Sequence, residues 1–135
     1  MATVIYLAMF LSCLQTAIAF MDPCTFYPKG FIPKNETENV IITPSCLEGT
    51  IDWNYPRGSL KVLFNQPKPY SLCLTDWIGG GSFTIYDNSF GKMTHLKMLS
   101  SEAQCIQSNG HHAVLKVEAP SMQTYMGGFT YEIKY

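Results

Sequence analysis

The chain has 135 residues with 9 basic and 10 acidic side chains, and its formal net charge is −1. Neither sign of charge is clustered, which argues against nucleic acid, polyanions and anionic membrane surfaces as main partners. The length suits a single domain, and the sequence contains no internal repeat, low-complexity run or interdomain linker.

Residues 1–19 have the features of a signal peptide. Residues 1–20 carry no charged side chain, residues 4–11 are an apolar run, and Ala17-Ile18-Ala19 matches an A-x-A cleavage pattern. No Lys or Arg precedes the run, so a membrane anchor is the alternative, but the run is shorter than the roughly 20 apolar residues that span a bilayer. We therefore expect cleavage after Ala19 and a secreted, extracellular product that does not insert into membranes.

Cleavage also removes Cys13, which leaves an even number of cysteines. The remaining four are Cys24, Cys46, Cys73 and Cys105. In an oxidising compartment an even number predicts two disulfides, for which three pairings exist. We favour Cys24–Cys46 and Cys73–Cys105, because each bridge then ties the ends of one hairpin or connection.

Residues 20–39 are rich in Pro and Asn and predict an irregular N-terminal arm held by Cys24. The sequon Asn35-Glu36-Thr37 lies in this arm, before the first predicted strand, where a glycan would sit in solvent. Asn35 is therefore a candidate glycosylation site, although such triplets also occur by chance.

Residues 40–135 read as seven or eight short strands separated by turn signals. The predicted strands are 40–43, 50–55, 59–64, 70–74, 82–87, 94–99, 112–118 and 129–135. Short strands at this spacing predict an all-β fold, an antiparallel β-sandwich that fills the mature domain. No window sustains a helical apolar period over three turns.

The strand predicted at 50–55 carries the largest apolar side chains. Ile51, Trp53 and Tyr55 alternate with Asp52 and Asn54, so one face of the strand is apolar and the other polar. This alternation favours a core role for Trp53 over a role as an exposed binding aromatic.

The segment from Gly110 to Tyr135 resembles the end of a CUB domain, especially in residues 113–117 and 128–133. The segment Cys46–Phe64 resembles the amino-terminal, CUB-like domain of meteorin and meteorin-like proteins. That domain has the same elements in the same order: a cysteine, Glu-Gly, a Trp-containing strand and Tyr-Pro-x-Gly-x-Leu. The other three cysteines of the mature chain also fit that family's pattern. The resemblance implies a disulfide-stapled, CUB-like sandwich of jelly-roll type in a secreted ligand. Meteorins continue into a second, cysteine-rich domain beyond the part that corresponds to this chain.

Many CUB domains bind calcium at loop ends, and Asp76 and Asp87 would be the candidate ligands here. However, the position where calcium-binding members carry Ser-Asp reads Glu118-Ala119-Pro120. With no C-x-x-C motif and only three histidines, we expect no metal and no cofactor.

No catalytic residue is predicted. The His111-His112 pair follows Asn109-Gly110 and is expected in a hairpin turn, and the serines lack a G-x-S-x-G setting. The chain is therefore expected to be a non-enzymatic protein-binding domain.

The expected partner is an extracellular protein or a cell-surface receptor, bound through the loops 65–70, 76–82 and 119–128 at one end of the sandwich. Trp77, which precedes a triple glycine, is the first candidate contact, and Met122, Tyr125 and Met126 are the next. A carbohydrate- or matrix-binding module of similar fold is the alternative, which calcium-dependent binding to a glycan array would favour.

Overall fold

The computed structural model describes residues 22–30, 32–78, 83–97 and 102–135, except for the side chains of 76–78. These residues form ten strands and no helix. In chain order they are β1 (Thr25–Phe26), β2 (Thr37–Ile42), β3 (Glu48–Asp52), β4 (Ser59–Asn65), β5 (Ser71–Ile78), β6 (Thr84–Asp87), β7 (Thr94–Leu96), β8 (Gln104–Gln107), β9 (His112–Glu118) and β10 (Gly128–Lys134). Two five-stranded sheets face each other, in the orders β1-β3-β10-β5-β8 and β2-β4-β9-β6-β7. The predicted all-β sandwich is confirmed.

Most neighbouring strands are antiparallel, as expected for short strands joined by turns. The exceptions among the described strands lie at two edges, where β1 pairs with β3 and β2 pairs with β4 in parallel. Both parallel edges come from the segment 22–42, which precedes β3. This segment therefore adds one edge strand to each sheet.

The prediction of an irregular arm over 20–39 is incomplete, because β1 and the first residues of β2 lie within it. The short β1 gives no periodic signal in the sequence; it forms because Cys24 is tethered beside β3, with Thr25 opposite Thr50. Strand β8 was also missed. Only Ile106 of its four residues is buried, so the segment lacks the alternation that marks the other strands.

The core fills the space between the two sheets. The first sheet contributes Ile51, Leu72, Leu74, Ile106, Phe129, Tyr131 and Ile133, and the second contributes Val40, Ile42, Leu60, Val62, Phe64, Ile85, Ala113, Leu115 and Val117. Across the interface, the Phe64 ring packs edge-on against the Tyr131 ring, with centroids 5.1 Å apart. The alternation of buried and exposed residues along β4 and β9 is what the sequence pattern predicts.

Both predicted disulfides are confirmed. Cys24–Cys46 ties the amino-terminal segment to the residues just before β3, and Cys73–Cys105 joins directly opposed residues of β5 and β8. The first bridge lies in a tightly packed corner, where the Tyr131 hydroxyl donates to the Cys24 carbonyl oxygen at 3.2 Å. A side chain at Gly49 would overlap that same oxygen, so this corner requires glycine.

The expected signal peptide, residues 1–19, lies outside the described residues. Within the described part of the chain, no helix is long and apolar enough to cross a membrane.

Candidate functional site

Strand register decides which loops share an end of the sandwich. Ser59 lies opposite Glu118, and Asn65 lies opposite His112, so the start of β4 and the end of β9 are at one end. Since Gly128 lies opposite Ile78, the 119–127 loop and the end of β5 are at this same end. The loop 65–70 is at the opposite end. The prediction that it joins 76–82 and 119–128 in one surface is therefore wrong, because β4 carries the chain along the full length of the sandwich before that loop begins.

Trp53 anchors the end of the sandwich that carries the 119–127 loop. Its side chain is 1% exposed and stacks on Phe83, with ring centroids 5.7 Å apart. The indole Nε1 donates to the Lys29 carbonyl oxygen at 2.9 Å, and the backbone N–H of Trp53 donates to the Gly127 carbonyl oxygen at 2.8 Å. The predicted core role of Trp53 is confirmed, and this one residue positions both the amino-terminal segment and the 119–127 loop.

Tyr55 does not share the buried face of Ile51 and Trp53, although the alternation predicts that it does. Strand β3 ends at Asp52, and Tyr55 adopts a positive φ of 51° with its side chain 49% exposed. A bulky residue with positive φ is an outlier that costs free energy, and such conformations cluster at functional sites. The chain turns here because Pro56 and Gly58 follow.

Four large apolar side chains are exposed together at this end. Their exposed fractions are 49% for Tyr55, 79% for Met122, 68% for Tyr125 and 54% for Met126. The Tyr55 N–H donates to the Tyr125 carbonyl oxygen at 2.9 Å, and the two rings meet edge-on with centroids 5.8 Å apart. We call these four residues the Tyr55–Tyr125 surface. It contains three of the four predicted contact residues.

A groove of about 640 Å³ lies beside this surface, which is a volume typical of binding sites. Its lining residues are Lys34, Tyr55, Pro56, Arg57, Gly58, Ser59, Glu118, Ala119, Pro120, Ser121, Met122, Gln123 and Thr124. One wall is the 55–59 turn and the other is the 118–124 segment. The walls are joined at both ends, by the Tyr55–Tyr125 backbone bond and by Ala119 N–H donating to the Gly58 carbonyl oxygen at 3.0 Å.

Gly58 fixes the position of the turn wall. Its φ is +79°, and an added Cβ would lie 3.0 Å from both Ile32 Cγ2 and the Pro33 carbonyl oxygen. The turn is therefore packed closely against the amino-terminal segment in a conformation that side chains disfavour. Because both walls are tied down, the groove is largely formed without a ligand.

The charges of the groove are unevenly distributed. Lys34 and Arg57 are exposed, and neither forms an ion pair with a carboxylate among the described residues. The one lining carboxylate, Glu118, lies 3.1 Å from the ammonium group of Lys116. The groove therefore presents more uncompensated positive than negative charge.

Asp52 and Thr124 each have a buried side-chain oxygen without a hydrogen-bond partner in the described structure. Burial raises the pKa of the Asp52 carboxyl group. Thr124 is one of the residues that line the groove.

The side chain of Trp77, the first predicted contact, lies outside the description. Its backbone belongs to β5, which runs to Ile78, and it falls where the register between β5 and β10 shifts. Residues 79–82 of the predicted 76–82 loop also lie outside the described residues, as does the side chain of Asp76.

Asn35 is exposed in a turn closed by the Glu36 N–H, which donates to the Pro33 carbonyl oxygen at 2.8 Å. Thr37 lies opposite Ser59, which places the sequon at the same end as the groove. Glycosylation of Asn35 stays a prediction, and a glycan there would stand next to Lys34, which lines the groove.

The His111-His112 pair lies at the opposite end, in the predicted turn. Gly110 has a φ of 59°, and Asn109 exchanges backbone hydrogen bonds with His112. His111 Nδ1 lies 3.0 Å from the Gln66 carbonyl oxygen, which ties this turn to the end of β4. These contacts give the pair a structural role.

The Asp87 carboxylate, a candidate calcium ligand, caps its own turn. Its Oδ1 accepts bonds from the Ser89 N–H at 3.0 Å and the Ser89 hydroxyl at 2.6 Å. Within the described residues, no group of three or more His, Cys, Asp or Glu side chains is placed to hold a metal ion.

No protein-family model matches the chain, and no curated protein matches it. Among solved structures, it is similar to the full extracellular region of zebrafish Gpr126/Adgrg6, with a TM-score of 0.43 and 12% sequence identity. The similarity covers 75% of this chain and 15% of that one. A likeness this weak carries nothing over to the present chain, either for fold or for function.

The sequence predicted Met122, Tyr125 and Met126 but missed Tyr55, Lys34 and Arg57. The alternation places Tyr55 on the apolar face of the predicted strand 50–55, although the Pro56-x-Gly58 turn signal follows it directly. Lys34 and Arg57 are distant in sequence and line the same groove because β2 pairs in parallel with β4. No local pattern reveals that pairing.

Proposed function

We propose that this chain is a secreted, non-enzymatic protein-binding domain that acts as an extracellular ligand or modulator, in the manner of meteorin-like proteins. Two disulfides support an oxidising compartment, where such bonds persist. The order of motifs around Cys46–Phe64 supports the meteorin-like assignment. The partner is an extracellular protein or cell-surface receptor.

The Tyr55–Tyr125 surface carries this proposal. Clusters of exposed apolar side chains that are surrounded by polar residues are typical of interaction sites. Tyr and Met are also enriched at protein interfaces. Here the patch lies beside a preformed groove, and an energetically costly backbone conformation at Tyr55 holds one of its rings in place.

Site-specific photo-crosslinking tests this proposal. A photoreactive phenylalanine analogue replaces Met122 in one preparation of the mature domain and Phe90 in another. Phe90 is 63% exposed and lies at the opposite end, because Asn88, two residues before it, donates its backbone N–H to the Val114 carbonyl oxygen near the start of β9. Applied to intact cells, the 122 probe is expected to form a covalent adduct with a cell-surface protein that the 90 probe does not form.

Equal adducts from both positions, or none from position 122 on any cell type that binds the domain, would contradict the proposal. Calcium-dependent binding to a glycan array, in place of a protein adduct, would favour the carbohydrate-binding alternative. Either result would argue against the Tyr55–Tyr125 surface as a protein interface.

A further inference from the structure

The groove beside the Tyr55–Tyr125 surface has features that define the chemistry of its occupant. We infer that it binds an extended segment of the partner protein in which an acidic side chain lies next to a large apolar one. This inference rests on the proposed function and specifies the partner segment that the same surface accepts.

The unpaired backbone of one groove wall favours an extended segment. Between Ala119, whose N–H bonds to Gly58, and Tyr125, whose carbonyl oxygen accepts from Tyr55, residues 120–124 make no backbone–backbone hydrogen bond with the described residues. Four of these five residues retain an N–H donor, since only Pro120 lacks one. An extended peptide lying along this wall supplies partners for such groups, as peptides do at open sheet edges.

The side chains of the groove define two kinds of position for the bound segment. Tyr55, Met122 and Pro56 form the apolar part, which suits a large apolar anchor. Lys34 and Arg57 form the cationic part. Because Glu118 is already beside Lys116, the two cations lack an internal counter-charge in the described structure and complement a carboxylate of the ligand.

A sulfated polysaccharide is the other anionic occupant to consider. Such a chain binds through many cations, and the groove offers two, with the carboxylate of Glu118 on the same lining. The apolar side chains beside the cations also have no function in binding a polyanion. The geometry therefore favours an acidic and apolar peptide segment over a polysulfated glycan.

A random library of displayed 12-residue peptides, selected on the intact mature domain, tests the inference. We expect enriched peptides that carry Asp or Glu within two residues of an aromatic or aliphatic residue. Synthetic versions of these peptides should bind at least tenfold more weakly to the Arg57→Glu variant. The matched control, Lys92→Glu, alters an exposed cation in the 88–93 loop at the opposite end and should bind them as the parent does.

Enriched peptides without acidic residues would overturn the inference, as would no enrichment or full binding to Arg57→Glu with an unchanged melting temperature. Displacement of the peptides by a heparin octasaccharide that itself loses affinity for Arg57→Glu would show that the site takes a sulfated glycan. The proposed function is tested separately. If adducts from position 122 persist while Arg57→Glu still binds the selected peptides, the surface is an interface but Arg57 does not recognise an acidic side chain of the partner segment.

Discussion

The ring of Tyr55 meets the ring of Tyr125 edge-on, at an interplanar angle of 89°, while the backbone of Tyr55 donates a hydrogen bond to the carbonyl oxygen of Tyr125. The two residues thus join the turn after β3 to the loop before β10. Since Trp53 also bonds to Gly127 of that loop, the segment 53–55 holds residues 125–127 of the surface loop in place. Trp53 of the core and Tyr55 of the candidate interface are therefore only two positions apart in the sequence, and substitutions in the core and in the interface should have different effects.

Replacing Trp53 tests the core role. Trp53→Ala should lower the free energy of unfolding by about 3–5 kcal/mol, because it leaves a cavity against Phe83 and strands the Lys29 carbonyl oxygen. Trp53→Phe keeps the ring contact and should cost clearly less. Chemical denaturation of the purified variants measures both. Equal stability of the alanine variant and the parent would show that the indole is not part of the core.

The two disulfides should contribute similarly to the free energy of unfolding but should restrict different segments of the chain. Removing either one as a double Cys→Ser change should cost about 3 kcal/mol in the chain-entropy account. Loss of Cys24–Cys46 should speed amide hydrogen exchange in 25–36, whereas loss of Cys73–Cys105 should speed exchange in 104–107. Exchange that rises in the same segments for both variants would contradict this separation.

Alkaline pH should destabilise the domain through two buried tyrosines. Burial raises the pKa of Tyr70 and of Tyr131 to about 12. Because the folded state holds these protons more tightly than the unfolded state does, their stabilising contribution is complete below the ordinary tyrosine pKa of about 10 and is lost as the pH rises through about 12. Denaturation midpoints measured across this window should fall, and Tyr131→Phe should flatten the fall.

Substitution of Asp52, unlike the changes above, should stabilise the domain at neutral pH. Burial raises its pKa, so the charged form is disfavoured in the folded state, and Asp52→Asn should raise the melting temperature at pH 7. The contribution of the protonated form is fully present below the ordinary pKa and is lost as the pH rises through the raised value. The advantage of the variant should therefore shrink as the pH falls towards 3. A constant advantage at all pH values would exclude this electrostatic cause.

The sequence predicted the features that depend on local alternation of apolar residues and on the number and order of the cysteines. Strands β4, β9 and β10 were placed to within a residue at each end, and both disulfides were paired correctly. The errors occur where tertiary contacts override local pattern. Strand β1 forms because a disulfide holds it beside β3, and Lys34 lines the groove because β2 pairs in parallel with β4.

The binding of the mature domain to intact cells, measured as an equilibrium isotherm with fluorescently labelled protein, tests the central claim most directly. The variant Met122→Ser/Tyr125→Ser removes two exposed side chains of the Tyr55–Tyr125 surface, and Phe90→Ser/Met93→Ser removes two at the opposite end as a matched control. We predict that the first pair weakens binding at least about 30-fold, as loss of interface anchors does, with the melting temperature unchanged. The control should bind as the parent does. Equal isotherms for the parent and the first variant would contradict the claim that this end of the sandwich binds the partner.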